Sequence, residues 1–378
     1  MGDRTYFAAC GKGLEPAVET ELTELGTQDV QVRRGGVSFR GDRRVAYATN
    51  LWLRSAIRVQ EELLRRQVWN PDELYDAVAS LDWDRYVTPD QTLKVSASVR
   101  DTPQIRHSGY AALTVKDAVV DVVRERHGRR PSVDTKDPDL LLKLVLQGGR
   151  LLLYRDLSGT SLHKRGWRPI QVKSPLNEAT AAGLLVITGW DRRSALVDPM
   201  CGSGTFPIEA AMMATDRAPG LGRRFAFERW LDFDPDLWAS LIEDAEARIR
   251  PTLDFVIEGA DHHAGALALA RKGARAAGVE HVVRFVESDV ADYVPSAKPK
   301  LVVSNPPYGE RIGKDDAEAS WSKLGVFLRE RCGGATAWVL SGNKALSRHL
   351  GLRTSRRVPV MNGPIECRFL RYEMHERG

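Results

Sequence analysis

The sequence predicts an α/β chain in two parts: an open, mostly parallel sheet closed by an antiparallel hairpin, preceded by an α+β arm. Two observations separate the parts. From residue 174 onward, short apolar runs alternate with amphipathic helical stretches, the pattern of a sheet covered by helices on both faces. Before that, residues 1–158 carry paired strand signals around glycines, the pattern of small antiparallel units. A third observation sets the end of the sheet: Asn362-Gly363 lies between two strand-like runs, Arg357 to Val360 and Ile365 to Tyr372, and is a strong hairpin-turn signal.

In chain order, Thr5 to Ala9 reads as a strand, Glu15 to Leu25 as a helix, and Val30 to Phe39 as a hairpin interrupted at Gly35-Gly36. Residues 1–60 are thus expected to form one small unit. A second, 61–158, runs through a polar Trp-bearing stretch from Trp69 to Trp83. It continues with a strand at Leu93 to Val99, a helix at Tyr110 to Arg126, and two strands, Leu140 to Leu146 and Leu151 to Leu157, joined by Gln147-Gly148-Gly149-Arg150. Residues 159–173 read as a basic linker. The domain at 174–378 opens with a helix from Asn177 to Thr188, a strand at Ala195 to Val197 and a helix at Thr205 to Ala214. Strands at Phe255 to Glu258, Val282 to Val286, Leu301 to Val303 and Ala337 to Leu340 follow, with a helix at Ala264 to Ala277.

The charge is unevenly placed. All of the net +5 belongs to residues 1–173, and basic residues such as Arg124, Arg126, Arg129, Arg130, Lys164, Arg165 and Arg168 gather between 100 and 173. That is either a polyanion footprint or a solvated basic surface. In the linker, Leu162-His163-Lys164-Arg165-Gly166-Trp167-Arg168 interleaves cations with an aromatic, as single-stranded RNA binding does through phosphate pairing and base stacking. The competing reading is a linker whose Trp167 packs on a neighbouring domain. Arg129, Arg130, His163, Lys164, Arg165, Trp167 and Arg168 are the RNA-binding candidates. No apolar run reaches the length of a membrane span and the N-terminus lacks a secretory pattern, so the expected location is cytoplasmic. The four cysteines show no CxxC pairing and the adjacent His262 and His263 would diverge on a helix, so no metal is expected.

Two motifs carry chemistry. Val197-Asp198-Pro199-Met200-Cys201-Gly202-Ser203-Gly204-Thr205-Phe206 runs from a strand through a Gly-rich turn into a helix. Gly202 and Gly204 let backbone approach a ligand, and Asp198 stands where a carboxylate takes the cationic amino group of a methionine moiety. A dinucleotide fold wants an acid on the next strand about 20 residues on, but here an insertion from Ala218 to Pro251 intervenes, and Asp261 is the acid that could hold a ribose. Asp289, after the third strand, could accept from an adenine amino group; Met200, Ser203, Thr205, Phe206, His262 and Val290 complete the candidate cofactor set. Each acid could instead be an N-cap or a surface residue.

The second motif, Ser304-Asn305-Pro306-Pro307-Tyr308-Gly309-Glu310-Arg311, ends the fourth strand. The prolines remove backbone donors, leaving the Pro306 carbonyl free of its own chain. That carbonyl and the Asn305 side chain accept both protons of an aromatic NH₂ group, favouring the pyramidal nitrogen that attacks a sulfonium methyl. Tyr308 offers a face for an extruded base. Asn305, Pro306, Pro307 and Tyr308 are therefore the catalytic candidates, Asn305 also touching the cofactor, against the alternative of a tight turn built for shape alone.

Together these motifs resemble the bacterial THUMP-domain RNA guanine-N2-methyltransferases, especially the N-terminal half of the RlmL-type large-subunit rRNA enzymes. The resemblance also rests on Tyr6-Phe7-Ala8-Ala9-Cys10-Gly11-Lys12-Gly13-Leu14-Glu15, Lys116-Asp117-Ala118-Val119-Val120-Asp121, Pro138-Asp139, Leu157-Ser158-Gly159, Ser174-Pro175-Leu176-Asn177-Glu178 and Phe225-Ala226-Phe227-Glu228-Arg229-Trp230. It implies a Rossmann-like class I methyltransferase domain behind a ferredoxin-like and THUMP arm that captures structured RNA. It further implies S-adenosylmethionine held by Asp198, Gly202, Gly204, Asp261 and Asp289, with N2 methylation of a guanine in 23S rRNA as the activity. The chain stops at Gly378, before the second methyltransferase module of some RlmL-type proteins, so no fused second activity is expected. Related single-module proteins act on tRNA, which makes tRNA the alternative substrate. Rival readings are an adenine amino group, a protein glutamine, which the basic arm argues against, and a non-catalytic RNA-binding or assembly factor, which would be expected to have lost Asn305 or Asp198. No membrane and no obligate protein partner is expected.

Overall fold

The computed structural model describes residues 3–168, 176–308 and 314–376. The first part is built on one eight-stranded sheet in the order β2-β3-β1-β4-β8-β7-β5-β6. Its strands are β1 Arg4–Cys10, β2 Gln28–Arg33, β3 Gly36–Gly41, β4 Ala56–Gln67, β5 Thr92–Arg100, β6 Ser132–Val133, β7 Leu140–Gln147 and β8 Arg150–Asp156. Helices α1 Glu15–Glu24, α2 Arg43–Trp52, α3 Pro71–Ala79 and α4 Ser108–His127 pack on it. The sequence reading lacks the two-residue β6 and, more consequentially, the long strand β4. It pairs with β1 along its first half and β8 along its second, so the expected boundary at residue 60 falls inside a central strand.

The cores divide differently from the strands. The THUMP-like half closes over its own cluster, with Trp83, Val115, Val119, Leu142 and Leu153 fully buried. The first unit has no separate core. Leu14, Val18, Leu51 and Leu53 belong to one cluster with Leu184, Phe206, Ile208 and Met212 of the C-terminal domain. Gly183, on the helix α5 Glu178–Thr188, lets that helix meet Leu14 and Ser55, because a Cβ there would lie 3.0 Å from Leu14. Residues 3–60 are thus clamped to the C-terminal domain rather than swinging from a linker.

The insertion at Ala218 to Pro251 makes the same junction from the other side. Its helix α7 Pro235–Ala247 is started by Asp234, whose carboxylate accepts from Leu237 N. Tyr47 of α2 stacks on Phe227 at 4.3 Å between ring centres, and Phe225, Phe233 and Trp238 pack around the pair. Arg155 of β8 fastens it: buried, it donates to Glu61 at 2.6 Å and to both oxygens of Asp232 at 3.0 Å, and lies 3.7 Å over the Trp230 ring. Arg155→Ala would leave the buried Glu61 carboxylate with Arg4 alone and take the two-pronged donor from Asp232, so a loss of about 3 kcal/mol is expected in urea unfolding.

The second sheet has seven strands in the order β11-β10-β9-β12-β13-β15-β14. Strands β9 Leu196–Asp198, β10 Ile257–Asp261, β11 Arg284–Glu287, β12 Leu301–Ser304 and β13 Thr336–Ser341 are parallel; β15 Ile365–Glu373 runs antiparallel to β13 and pairs with β14 Arg356–Asn362. Helices α6 Thr205–Ala214, α8 Ala264–Ala276 and α9 Lys314–Arg331 cover its faces with α5. This is the Rossmann-like sheet with an antiparallel terminal hairpin that the sequence predicts. One detail shifts: Asn362 pairs with Ile365, so the two-residue turn is Gly363-Pro364, with Gly363 at φ +59°. The strand order reverses direction between β9 and β12, which opens a crevice at their carboxyl ends. Among the described residues no helix is long and apolar enough to cross a membrane, and no cluster of three or more His, Cys, Asp or Glu side chains is placed to hold a metal ion.

Candidate active site

Both chemical motifs end neighbouring strands at that reversal. Asp198 closes β9, Ser304 closes β12, and the loops that follow face one cavity of about 390 Å³. Of the residues predicted from sequence, Asp198, Met200, Gly202, Ser203, Thr205, Phe206 and Asn305 line it. Leu176, Cys201, His263, Gly265, Ala266 and Leu269 line it too and were not predicted.

Asp198 is buried, accepting from Met200 N at 3.2 Å. Burial raises its carboxyl to about 8, the Met200 N–H and Ser304 hydroxyl opposing and Asp261 reinforcing the rise. A carboxyl so placed is poised for a cation. Asp261 ends β10 and accepts from Gly202 N at 2.8 Å and His263 N at 2.9 Å, tying the Gly-rich turn to the next strand.

The two glycines differ. Gly202, at φ +54°, has open space where a Cβ would project, so backbone is what it presents to the cavity. Gly204 caps α6 at φ +78°, and a Cβ there would sit 2.9 Å from Ala270 and Phe285. Packing, rather than ligand approach, demands glycine at 204.

Besides Gly204 and Asp261, His262, Asp289 and Val290 also stand apart from the cavity lining. His262 points to solvent, its side chain 71% exposed, and it is His263, the N-cap of α8 accepting from Ala266 N, that faces the cavity. Val290 is buried in the core under α9. Asp289 accepts from Ala291 N at 2.9 Å and pairs with Lys323 Nζ at 2.9 Å, contacts that hold its carboxyl below the usual range.

The Asn305 loop is held from below. Pro306 is buried, and the Pro307 carbonyl accepts from Trp321 Nε1 at 2.9 Å. Tyr308 packs its ring on Gly342 and its hydroxyl accepts from Asn362 Nδ2 at 3.0 Å, so the loop is fastened to the terminal hairpin. Against this satisfied background, Asn305 Oδ1 is buried with no hydrogen-bond donor among the described residues. Gly309, Glu310 and Arg311 of the motif, and Ser174-Pro175, lie outside the described residues.

The basic linker is corrected by its burial. Arg165 is 7% exposed, pairs with Glu209 of α6 at 3.4 Å and donates to the Leu162 carbonyl at 2.7 Å. Trp167 is buried against Ile208 and Gly273. Arg168 donates to Thr205 Oγ1 at 2.8 Å and pairs with Glu178 at 3.3 Å, bracing the Gly-rich turn. These three hold the cofactor side of the domain and are not presented to a phosphate backbone. His163 is half-buried against Ser161, and burial lowers it to about 4; Lys164 is exposed. Arg129 is exposed and pairs with Asp90 at 3.0 Å, and Arg130 is exposed. Arg165→Ala is accordingly expected to lose about 3–5 kcal/mol of stability in a denaturation experiment while leaving the salt dependence of RNA binding unchanged.

Comparison with known proteins agrees with this geometry. Residues 165–371 match the RMKL-like methyltransferase domain, residues 5–60 the RlmL ferredoxin-like domain and residues 70–156 the THUMP domain. The chain belongs to the RMKL-like methyltransferase family. This RMKL-like chain is 41% identical over 384 residues to the ribosomal RNA large subunit methyltransferase K/L of Syntrophotalea carbinolica, covering 98% of the chain and 54% of that protein. It is 40% identical over 374 residues to a candidate RNA methyltransferase of Synechocystis, covering 98% and 97%. The chain thus spans about half the length of the K/L relatives and nearly all of the Synechocystis one. Among solved structures, SMU.472, a candidate methyltransferase complexed with SAH, superposes with a TM-score of 0.91 at 27% identity over 100% of both chains. A protein from Listeria monocytogenes described as a predicted N6-adenine-specific DNA methylase gives 0.89 at 29%, over 99% of this chain and 97% of that one.

Proposed function

We propose that this methyltransferase transfers a methyl group from S-adenosylmethionine to the exocyclic N2 amino group of a guanine in large-subunit rRNA. The carrying observation is the buried Asn305 Oδ1 at the Asp198 cavity: a strand-end acceptor held in place and, among the described residues, left without a donor.

The residues fit the cofactor. Asp198 offers a buried carboxyl in search of a cation, and Gly202 and Ser203 present backbone to the same space. S-adenosylmethionine, when bound, supplies a methyl group on a sulfonium and a cationic amino group. Asp198 takes that amino group, Asp261 keeps the Gly-rich turn on β10, and Phe206, Leu176 and Leu269 exclude water from the apolar part. Asn305 Oδ1 accepts one proton of the target NH₂ and the Pro306 carbonyl the other, drawing the nitrogen lone pair out of the aromatic system. Tyr308, anchored by Asn362, fixes the loop that carries both acceptors. Support for RNA as substrate comes from the THUMP match and the names of the K/L relatives.

The test is methyl transfer by the purified protein from isotopically labelled S-adenosylmethionine to unmodified transcripts of large-subunit rRNA and of tRNA, read by nucleoside mass spectrometry. Labelled N2-methylguanosine from rRNA is expected. The same product from tRNA alone would move the substrate; labelled N6-methyladenosine would overturn the base; no transfer to either would favour an RNA-binding assembly factor.

A further inference from the structure

A second cavity, of about 660 Å³, lies outside the Asp198 crevice, where the first unit meets the terminal hairpin. Its walls come from the Lys12-Gly13 loop after β1, the loop after β13, and β14 and β15. The joint is closely fitted: Met361 N donates to the Lys12 carbonyl at 3.0 Å, and a Cβ on Gly13, which has φ +93°, would strike the Pro359 carbonyl.

This cavity opens on the same sheet edge as the catalytic loop. Gly342 follows β13 as Asn305 follows its parallel neighbour β12. Tyr308 joins the catalytic loop to this cavity, since its ring packs on Gly342 and its hydroxyl lies 3.6 Å from Cys367 Sγ, both of which line the cavity.

The charge here is predominantly positive. Lys12, Lys344, Arg348, Arg357 and Arg368 all line the cavity and are all exposed, and among the described residues none has a carboxylate within ion-pair distance. Several exposed arginines elsewhere are paired, as Arg126 is with Asp82 and Asp84, Arg275 with Glu280, and Arg229 with Asp137. Of the two acids on the walls, Glu15 is already engaged by Gly13 N and Gly35 N. Five cations around one concavity repel each other, and a polyanion relieves that repulsion while displacing its own counterions. The apolar floor of Val360, Met361 and Leu370 suits bases and riboses rather than isolated phosphate.

We propose that this cavity is the channel for the single-stranded RNA that flanks the target nucleotide, delivering that nucleotide past Tyr308 to Asn305. The proposal rests on the reading of the chain as an RNA methyltransferase and adds where the strand lies. It places the contact on the first unit and the terminal hairpin, away from the buried linker.

The experiment compares Lys344→Gln with Arg348→Gln, and Arg357→Gln with Arg368→Gln, against the control pair Lys300→Gln with Arg331→Gln at the opposite edge of the sheet. Filter binding to a large-subunit rRNA transcript and to unfractionated tRNA is measured across a KCl series, with SAH titration alongside. Each cavity pair is expected to flatten the logarithmic salt slope by about 1.4, from about 0.7 per phosphate contact on a single strand. Each is also expected to weaken binding on the order of tenfold near 0.1 M salt, with SAH affinity and the product nucleoside unchanged. Unchanged slopes, an equal loss in the control pair, or no RNA binding by the parent protein would overturn the channel. N2-methylguanosine formed with unchanged slopes would sink the channel and keep the function; a different product nucleoside with flattened slopes would do the reverse.

Discussion

Asn305→Ala is expected to lower kcat and kcat/KM together by about 10²–10³-fold, the scale seen when one preorganised transition-state contact is removed. SAH affinity in a direct titration should stay within a few-fold. The split follows from where Asn305 sits. Its neighbours are satisfied by the fold itself: the Pro307 carbonyl by Trp321, the Tyr308 hydroxyl by Asn362. The amide oxygen of Asn305 has no donor among the described residues, and an acceptor left open in a buried site costs stability unless something arrives to fill it. The arriving group is the amino group being methylated, and the contact strengthens as that nitrogen becomes pyramidal, so its loss falls on turnover rather than on cofactor binding. A parallel loss of SAH affinity would instead put Asn305 in the cofactor cradle. Asn305→Asp sharpens the test: it keeps the acceptor but removes the amide donor and adds charge, so partial turnover would identify acceptance as the needed function.

The parts legible in the sequence were those governed by local rules. A Gly-rich turn between an apolar strand and a helix, Asn-Pro-Pro at a strand end, and period-two apolar runs each specify their own structure, and the parallel sheet with its terminal hairpin follows from them. Strand β4 escaped because Ala56–Gln67 mixes Arg, Gln and Glu with little alternation. Its charges are tolerated in mid-sheet because partners come from far away: Asp156 for Arg58, Arg155 for Glu61. The linker misled for the same reason. Arg165 looks like a phosphate contact until Glu209 is seen beside it, 44 residues on. A signal was present, since Glu209 is the lone acid in the apolar run Phe206 to Ala211 and a buried acid there demands a buried cation. His263 rather than His262 was also recoverable, because the residue before Ala264 is the N-cap of the helix and its side chain turns back toward the preceding loop. The five cations around the second cavity were not recoverable: they come from residues 12, 344, 348, 357 and 368, and the joining of the first unit to the last hairpin brings them together.

Asp198→Asn should weaken S-adenosylmethionine binding by about 2 kcal/mol or more, roughly 30-fold, because the amide removes one charge of a buried pair. The stronger signature lies in its pH dependence. In the free protein the Asp198 carboxyl is raised to about 8, chiefly by burial, and the cationic amino group of the cofactor favours its ionised form. Below pH 8 the free protein therefore holds a proton that the complex releases, so affinity rises with pH, by up to about tenfold per unit, until that value is reached. Above it the cofactor's own α-amino group, of ordinary value about 8, loses its proton and affinity falls again. The profile is expected to be a bell for the parent protein and a falling limb alone for Asp198→Asn, measured by calorimetric titration in buffers of differing ionisation enthalpy, which count the released proton directly. The same shift has a consequence for the cofactor-free fold. Folded Asp198 binds its proton more tightly than the unfolded chain does, so its contribution to stability is complete below about pH 4 and is lost as pH rises through about 8. Cofactor should then stabilise the protein more at pH 8 than at pH 6, and in Asp198→Asn that difference should vanish. A parent profile that is flat from pH 6 to 8, with no proton released, would mean that Asp198 is already ionised and held by the fold rather than by the ligand.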